Sequence, residues 1–295
     1  MVTVILVQYN RSDLTRRAIR TLAEHGASNH QVILVDNCST EPGALAWTGE
    51  FSWLEVISLP MNRGFGAANN AGARAAKGEI LLFLNNDTSV SADVLTPTER
   101  YFDATPRCGA AGLALVNPDG TPQYSLGKWP TILSEWKMKH RMRLYSEHEY
   151  TSVDWVTAAA LAVRRDLFQL IGGFDERYFM YFEDADLCRR IRNAGWGVHF
   201  VPSVSVTHLG GGSQPGGMPP GIQVEYRRSQ MLYYCTHAST TQRLLLRLFL
   251  LGKASLLWMK SGEPSKVIAR QVFRIAGSSC HGPTDRDRPS SGRKE

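Results

Sequence analysis

Three observations predict an α/β fold built on a mainly parallel sheet. The first is a pair of continuous apolar runs, VTVILV at 2–7 and QVILV at 31–35, with an amphipathic segment between them. A run without alternation has to be covered on both faces, so strand, helix, strand opens a doubly wound sheet. The second is EILLFL at 79–84, a further buried strand. The third is that each run ends in polar, ligand-type residues: Gln8, Tyr9 and Asn10, then Asp36 and Asn37, then Asn85, Asn86 and Asp87. In open α/β sheets ligands bind at the carboxyl ends of the strands.

With 295 residues, 43% of them hydrophobic, the chain can bury a large core as one domain plus an appendage. The start, MVTVILVQYN, has no basic leader region and reads as a first strand. Five cysteines without a CxxC pair fit a reducing cytosol and argue against a cysteine zinc site. The net charge of +6 is uneven, because residues 216–295 carry 13 Lys+Arg against 5 Asp+Glu while the body before them is slightly acidic. That asymmetry points the C-terminal part toward an anionic surface.

Residues 12–24 read as an amphipathic helix with Ser12 or Asp13 near its cap and Leu14, Ala18, Ile19 and Leu22 on one face. No GxGxxG follows the first strand, which excludes a dinucleotide site of the usual kind. Asp36 can accept from a base or a ribose hydroxyl, or form a turn with Asn37. In NRGFGAANNAGARAAKGE at 62–79, Gly64 and Gly66 allow positive φ or close backbone approach, and an Ala-rich helix offers N-terminal amides to a diphosphate. Asn85, Asn86 and Asp87 suit a hydrated cation and a phosphorylated ligand, or turn and capping chemistry.

Residues 91–107 fit a covering helix, and Asn117-Pro118-Asp119-Gly120 a hairpin turn between short strands. KMKHRMR at 137–143 reads as a solvated basic face, and DWVTAAALAVR at 154–164 as one strand beside Trp155. In a helix starting near Glu183, Asp184 shares a face with Leu187, Cys188 and Ile191, while Asp186 falls opposite, in reach of Arg189 and Arg190. Asp184 is then the buried-stripe acid, suited to a general base or to an N-cap, and Asp186 a solvated ion pair. A strand at 198–206 delivers His208 to the same sheet edge as Asp87, before the Gly/Pro-rich loop GGGSQPGGMPPG, which reads as a lid. Residues 242–260 are leucine-rich but broken by Arg247 and Lys253, which suits an interfacial amphipathic helix or a helix packed on the body, and not a membrane span. Residues 277–295 read as disordered.

Six motifs in this order, VTVILVQYN, VILVDNCS, NRGFGAANNAG, ILLFLNND, GGFDERYFMYFEDADLCRR and VTHLGGGS, resemble the family 2 glycosyltransferases of the GT-A fold, in particular their rhamnosyltransferase-like branch. The resemblance covers residues 2–213 and is loose in the tail, at EYRRSQMLYY. It implies a catalytic domain at 1–215, with a nucleotide-sugar half at 1–90 and an acceptor half at 91–215, followed by a basic helical extension at 216–276. It places Tyr9, Asn10, Asp36, Asn37, Asn62, Gly64, Gly66, Asn69, Asn85 and Asn86 at the nucleotide-sugar and Trp155 and Glu183 at the acceptor. It makes Asp87 and His208 ligands of Mg²⁺ or Mn²⁺ and Asp184 the catalytic base of an inverting displacement. Asn85 stands where the family's DxD motif has its first acid, and Ala158 to Ala160 where it usually has Gly-Ala.

The implied donor is dTDP-rhamnose or a UDP-hexose, and the implied acceptor a saccharide or polyprenyl-linked saccharide at the inner face of the cytoplasmic membrane, with a homodimer compatible. A nucleotidyltransferase would need a basic glycine-rich loop after the first strand, which QYNRSD is not. A non-catalytic sugar-nucleotide binder would not need the candidate base. Nucleic-acid binding finds no exposed aromatics among the basic residues of the tail.

Overall fold

The computed structural model describes residues 1–133, 142–143, 152–210, 219–259 and 263–278. Two compact units divide the chain: the first comprises Met1–Trp129, Arg141–Asp175 and Asp184–Gly212, the second Pro130–His140, Glu176–Glu183 and Ser213–Glu295.

The first unit begins β1 (Val2–Gln8), α1 (Ser12–Glu24), β2 (Gln31–Asp36), β3 (Leu54–Ser58), α2 (Phe65–Ala75) and β4 (Ile80–Asn85), as the apolar runs require. It continues with β5 (Thr88–Ser89), α3 (Leu95–Ala104), β6 (Cys108–Val116), β7 (Leu126–Gly127), β8 (Met142–Arg143), β9 (Trp155–Val156), β10 (Ala160–Arg164), α4 (Arg165–Leu170), α5 (Glu183–Asn193) and β11 (Gly197–His208). An eight-stranded sheet runs β3-β2-β1-β4-β10-β6-β11-β5. Strands β3, β2, β1 and β4 are mutually parallel and β6 is parallel to β11, whereas β10 is antiparallel to both neighbours and β5 to β11.

The sheet's two faces bury different chemistry. One packs aliphatics, including Leu6, Leu34 and Leu82, against Ile19, Leu22 and Phe102 of α1 and α3. The other carries Phe83, which meets Phe168 at 5.2 Å and Phe174 at 5.1 Å between ring centroids. The helix α2 comes close to this face only because it is small-sided: a Cβ on Gly72 would lie 2.6 Å from Ile5.

Three expectations change. Residues 154–164 are two strands: β9 joins β7 and β8 in a small second sheet, and Thr157 donates its amide to Ser125 before β10 enters the large one. The stretch from 108 is one nine-residue central strand ahead of the Asn117–Gly120 turn, and its Gly112 lets Val156 lie where a Cβ would meet it at 2.5 Å. The cap of α1 is neither Ser12 nor Asp13 but the Glu41 carboxylate, which accepts from the amides of Arg11 at 3.0 Å and Ser12 at 2.7 Å. Those bonds, led by the one from the Ser12 hydroxyl, hold the Glu41 carboxyl below its usual range.

The second unit contains α6 (Pro220–His237), α7 (Thr240–Met259) and α8 (Glu263–Gly277). Ser229 on α6 donates to the Met180 carbonyl at 2.7 Å, and Phe182 packs against Tyr226 and Tyr233. Leu246, Leu250 and Ala254 of α7 are buried, as are Ile268, Ala269 and Val272 of α8, along the contact between these helices. Among the described residues no helix is long and apolar enough to cross a membrane. Cys38, Cys108 and Cys188 are free thiols, but Cys235 is disulfide-bonded, which departs from the expectation of a fully reduced set. The lid at 211–218, most of the basic segment at 137–143 and the tail from 279 lie outside the described residues.

Candidate functional site

Parallel register gathers the polar strand ends at one edge. Gln8 is level with Asp36, and Val7 with Asn85. Beyond β10, Thr88 pairs with His208, so the end of β11 reaches the residues that follow β4.

At the β1–β2 corner, buried Asp36 accepts from Gln8 Nε2 at 3.3 Å and from the Ser39 amide at 3.2 Å. Tyr9 is exposed, while Asn10, at φ 57°, receives the amides of Thr40 and Glu41 on its Oδ1 and so fastens the loop after β2. Asn37 donates to Asn62 Oδ1 at 2.9 Å and to the Gly64 carbonyl at 3.2 Å, and accepts from the Arg63 amide at 2.9 Å. Asn62 in turn accepts from the Gly64 amide, so the glycine loop is shaped by two asparagines. Gly64, at φ 84°, takes a conformation L side chains rarely adopt. Gly66 lets Phe174 lie 3.0 Å from where a Cβ would be. Asn69 is buried and donates to the Phe65 carbonyl one turn back, so its amide serves the helix.

After β4, the amides diverge. Asn86 donates to Thr15 Oγ1 at 3.1 Å and ties the loop to α1, while Asn85 Nδ2 lies 3.3 Å from His208 Nε2. Asp87 Oδ1 is 3.2 Å from the same Nε2. A Cβ on Gly210 would meet Asp87 Oδ2 at 2.0 Å, so a side chain there would force this carboxylate to turn.

The histidine is oriented by Gln123, a residue the sequence analysis did not single out. Gln123 Nε2 donates to the His208 carbonyl at 2.7 Å and to Asn117 Oδ1 at 2.7 Å, which turns its Oε1 toward His208 Nδ1 at 2.9 Å. Nδ1 therefore carries a proton, and Nε2 offers a lone pair to Asn85 and toward Asp87. The approach to Asp87 is a contact without hydrogen-bond alignment, and Oδ1 stays buried with no donor. Two lone-pair donors 3.2 Å apart match adjacent ligands of an octahedral ion with bonds of about 2.1 Å, and oxygen with one imidazole suits Mg²⁺ or Mn²⁺. Among the described residues no group of three or more His, Cys, Asp or Glu could hold a metal, so an ion here would take its remaining ligands from the substrate and water.

The acids of α5 are arranged differently from the expectation. Asp186 is the fully buried one, its Oδ2 bound by Arg190 at 2.7 Å, and Arg190 also donates to the Ile171 carbonyl at 2.9 Å. Asp184 is half-buried, with Oδ1 accepting from the Ala185 amide at 2.7 Å. The helical period gives both acids a face, but the first turns of α5 are packed nearly all round, with Ala185 buried as well. Trp155 is buried in the small sheet and gives its indole N–H to the Lys128 carbonyl at 2.9 Å. Glu183, also buried, belongs to the second unit.

Residues 3–171 match the family model for glycosyl transferase family 2. The chain is 27% identical over 279 residues to the N-acetylglucosaminyl-diphospho-decaprenol L-rhamnosyltransferase of Mycobacterium tuberculosis, covering 86% of this chain and 90% of that protein. It is 29% identical over 224 residues to rhamnosyltransferase WbbL of Escherichia coli, covering 70% and 83%. The mannosyltransferase PcManGT of Pyrobaculum calidifontis, solved with GDP-Man and Mn²⁺, superposes with a TM-score of 0.56 at 20% identity over 93% of this chain and 69% of that one, a likeness of fold. The chain belongs to glycosyl transferase family 2 and is a glycosyltransferase of the GT-A fold.

Proposed function

We propose that the enzyme transfers rhamnose from dTDP-rhamnose, with inversion, to a saccharide or polyprenyl-linked saccharide in cell-surface polysaccharide synthesis. The observation that carries the reading is the Asp87–His208 pair, with Gln123 behind the histidine, at the edge where Asp36 and the glycine loop also end. The names of the mycobacterial and E. coli relatives support rhamnose as the sugar, and the first supports a lipid-linked acceptor.

In this reading Asp36 receives the nucleotide, and the loop held by Asn37 and Asn62 presents the N-terminus of α2 to the diphosphate. Asp87 and His208 hold Mg²⁺ or Mn²⁺, an assignment that the Mn²⁺ of the PcManGT structure supports. A divalent ion there supplies positive charge against the diphosphate leaving group. Arg11, whose charge already reaches Asp87, adds to that field. Asp184 takes the proton of the acceptor hydroxyl as that oxygen attacks the anomeric carbon from the face opposite the leaving group. Residues 216–276 bring the enzyme to the anionic inner face of the cytoplasmic membrane.

The test is product analysis by mass spectrometry with the full chain, Mn²⁺, a lipid-diphosphate saccharide and either dTDP-rhamnose or UDP-hexoses. Asp184→Asn is expected to lower kcat by about 10³-fold or more while dTDP binding stays within twofold. Turnover by Asp184→Asn within tenfold of the parent, or transfer from UDP-hexoses alone, contradicts the proposal.

A further inference from the structure

The second unit carries a surface that sugar transfer does not explain. On α7 (Thr240–Met259), Leu246, Leu250 and Ala254 are buried, while Leu244 (57% exposed), Leu248 (56%), Leu256 (60%) and Met259 (71%) face outward. At 100° per residue the outward residues, with Leu251 and Trp258, fall in one arc about 160° wide that holds no charge. A helix that needed only to cover α8 would have a polar outer face.

This arc runs into a cleft of about 530 Å³ lined by Ser255, Trp258 and Met259 of α7 and by Arg270, Phe273 and Arg274 of α8. Arg270 and Arg274 are four apart, so their side chains lie on one face of α8. The Arg270 guanidinium sits over the Trp258 ring at 5.5 Å, and neither arginine meets a carboxylate among the described residues. A cleft with an apolar floor and two guanidiniums that meet no carboxylate among the described residues fits a group that is anionic at one end and hydrocarbon at the other.

We propose that the α7–α8 pair is an in-plane membrane anchor with a built acidic-headgroup site, the leucine arc entering the acyl boundary and Arg270 and Arg274, beside Trp258, holding the phosphate of one anionic phospholipid. Charge selects this occupant over a second copy of the chain, which would bring like-charged arginines together on a segment where Lys and Arg outnumber Asp and Glu by 13 to 5. The apolar floor selects it over free phosphate. No described helix can span a bilayer, so the contact lies in the interface plane with Trp258 at headgroup level. The inference deepens the membrane part of the proposed function and is independent of the sugar chemistry.

The experiment is sedimentation of the full chain with vesicles of phosphatidylcholine alone and of equal parts phosphatidylcholine and phosphatidylglycerol. The anionic vesicles are expected to bind more tightly by about 30-fold, the worth of two cations near such a surface. Arg270→Gln with Arg274→Gln should remove that factor, and Leu248→Ser with Leu251→Ser should weaken binding to both vesicles by about tenfold or more. Equal binding to both vesicles, parental binding by either double variant, or release by inorganic phosphate at fixed ionic strength overturns the proposal. So does a concentration-dependent dimer that the leucine variant abolishes, which would assign the face to a second copy. Stabilisation by dTDP with Mn²⁺, measured on the same variants, should equal that of the parent. A failure of docking therefore stays separate from a failure of the glycosyltransfer reading.

Discussion

Replacing Gln123 with alanine tests whether His208 is held for metal binding or merely packed. Gln123 makes two hydrogen bonds to that histidine, one to its carbonyl at 2.7 Å and one with Nδ1 at 2.9 Å. Each contributes about 1 kcal/mol net, so removing both loosens the imidazole by about 2 kcal/mol, a factor of ~30. That lies inside the 10–100-fold range typical for losing the partner behind a metal-bound histidine. Titration calorimetry of Mn²⁺ in the presence of dTDP should therefore show Gln123→Ala about 30-fold weaker. Gln123→Glu keeps an acceptor facing Nδ1 but sets its second oxygen against the His208 carbonyl and Asn117 Oδ1, so it should recover only part of the loss. Unchanged Mn²⁺ affinity in Gln123→Ala, with the unliganded fold intact, would refute the positioning argument.

Two further predictions concern the scaffold. Asn70 holds Phe174 through both backbone groups, donating to its carbonyl at 2.8 Å and accepting from its amide at 2.9 Å, in a buried setting. Asn70→Ala leaves both groups unsatisfied, which should destabilise the first unit by about 3 kcal/mol and lower its Tm by about 10 °C in differential scanning fluorimetry; a drop of only ~2 °C would mean that another group replaces the amide. Ahead of α3, Asp93 accepts from the amides of Leu95 at 2.8 Å and Thr96 at 3.1 Å. Burial raises the Asp93 carboxyl, yet the bonds from Thr96 and Leu95 outweigh it and hold the group below its usual range. A carboxyl depressed on folding stabilises fully above its unfolded value and loses that stabilisation as pH falls through its folded one. Asp93→Ala should therefore cost about 1 kcal/mol at pH 7, and the gap should close as pH falls below the usual carboxylate range; a gap that persists in strong acid would contradict the capping role.

The strand ends were legible because continuous apolar runs fix parallel strands, and parallel register must then bring Gln8, Asp36 and Asn85 to one edge. Asp87 and His208 followed from the same logic applied to the end of β11. Gln123 was not legible, since it follows a turn 85 residues before the histidine and nothing in its neighbours marks it. Glu41 likewise caps a helix 29 residues earlier, where a local reading finds only Ser12 and Asp13. The pairing of Asp186 with Arg190 was legible, but the relative burial of Asp184 and Asp186 was misread for a different reason. A single period sorts residues into one inside and one outside face, and α5 packs on more than one side, so the acid assigned to solvent became the buried partner of Arg190. Two strands at 155–164 were read as one because Thr157 is as apt for a strand as for the crossing between sheets.

The most direct measurement is thermal stabilisation of the full chain by dTDP with and without Mn²⁺, compared across the parent, Asp87→Asn and His208→Ala. A ligand that binds only the folded state raises stability in proportion to its occupancy. Metal-dependent stabilisation in the parent that disappears in both variants is the predicted result. Equal stabilisation with and without Mn²⁺, or variants that keep the full metal effect, would contradict the assignment of Asp87 and His208 as the site's metal ligands.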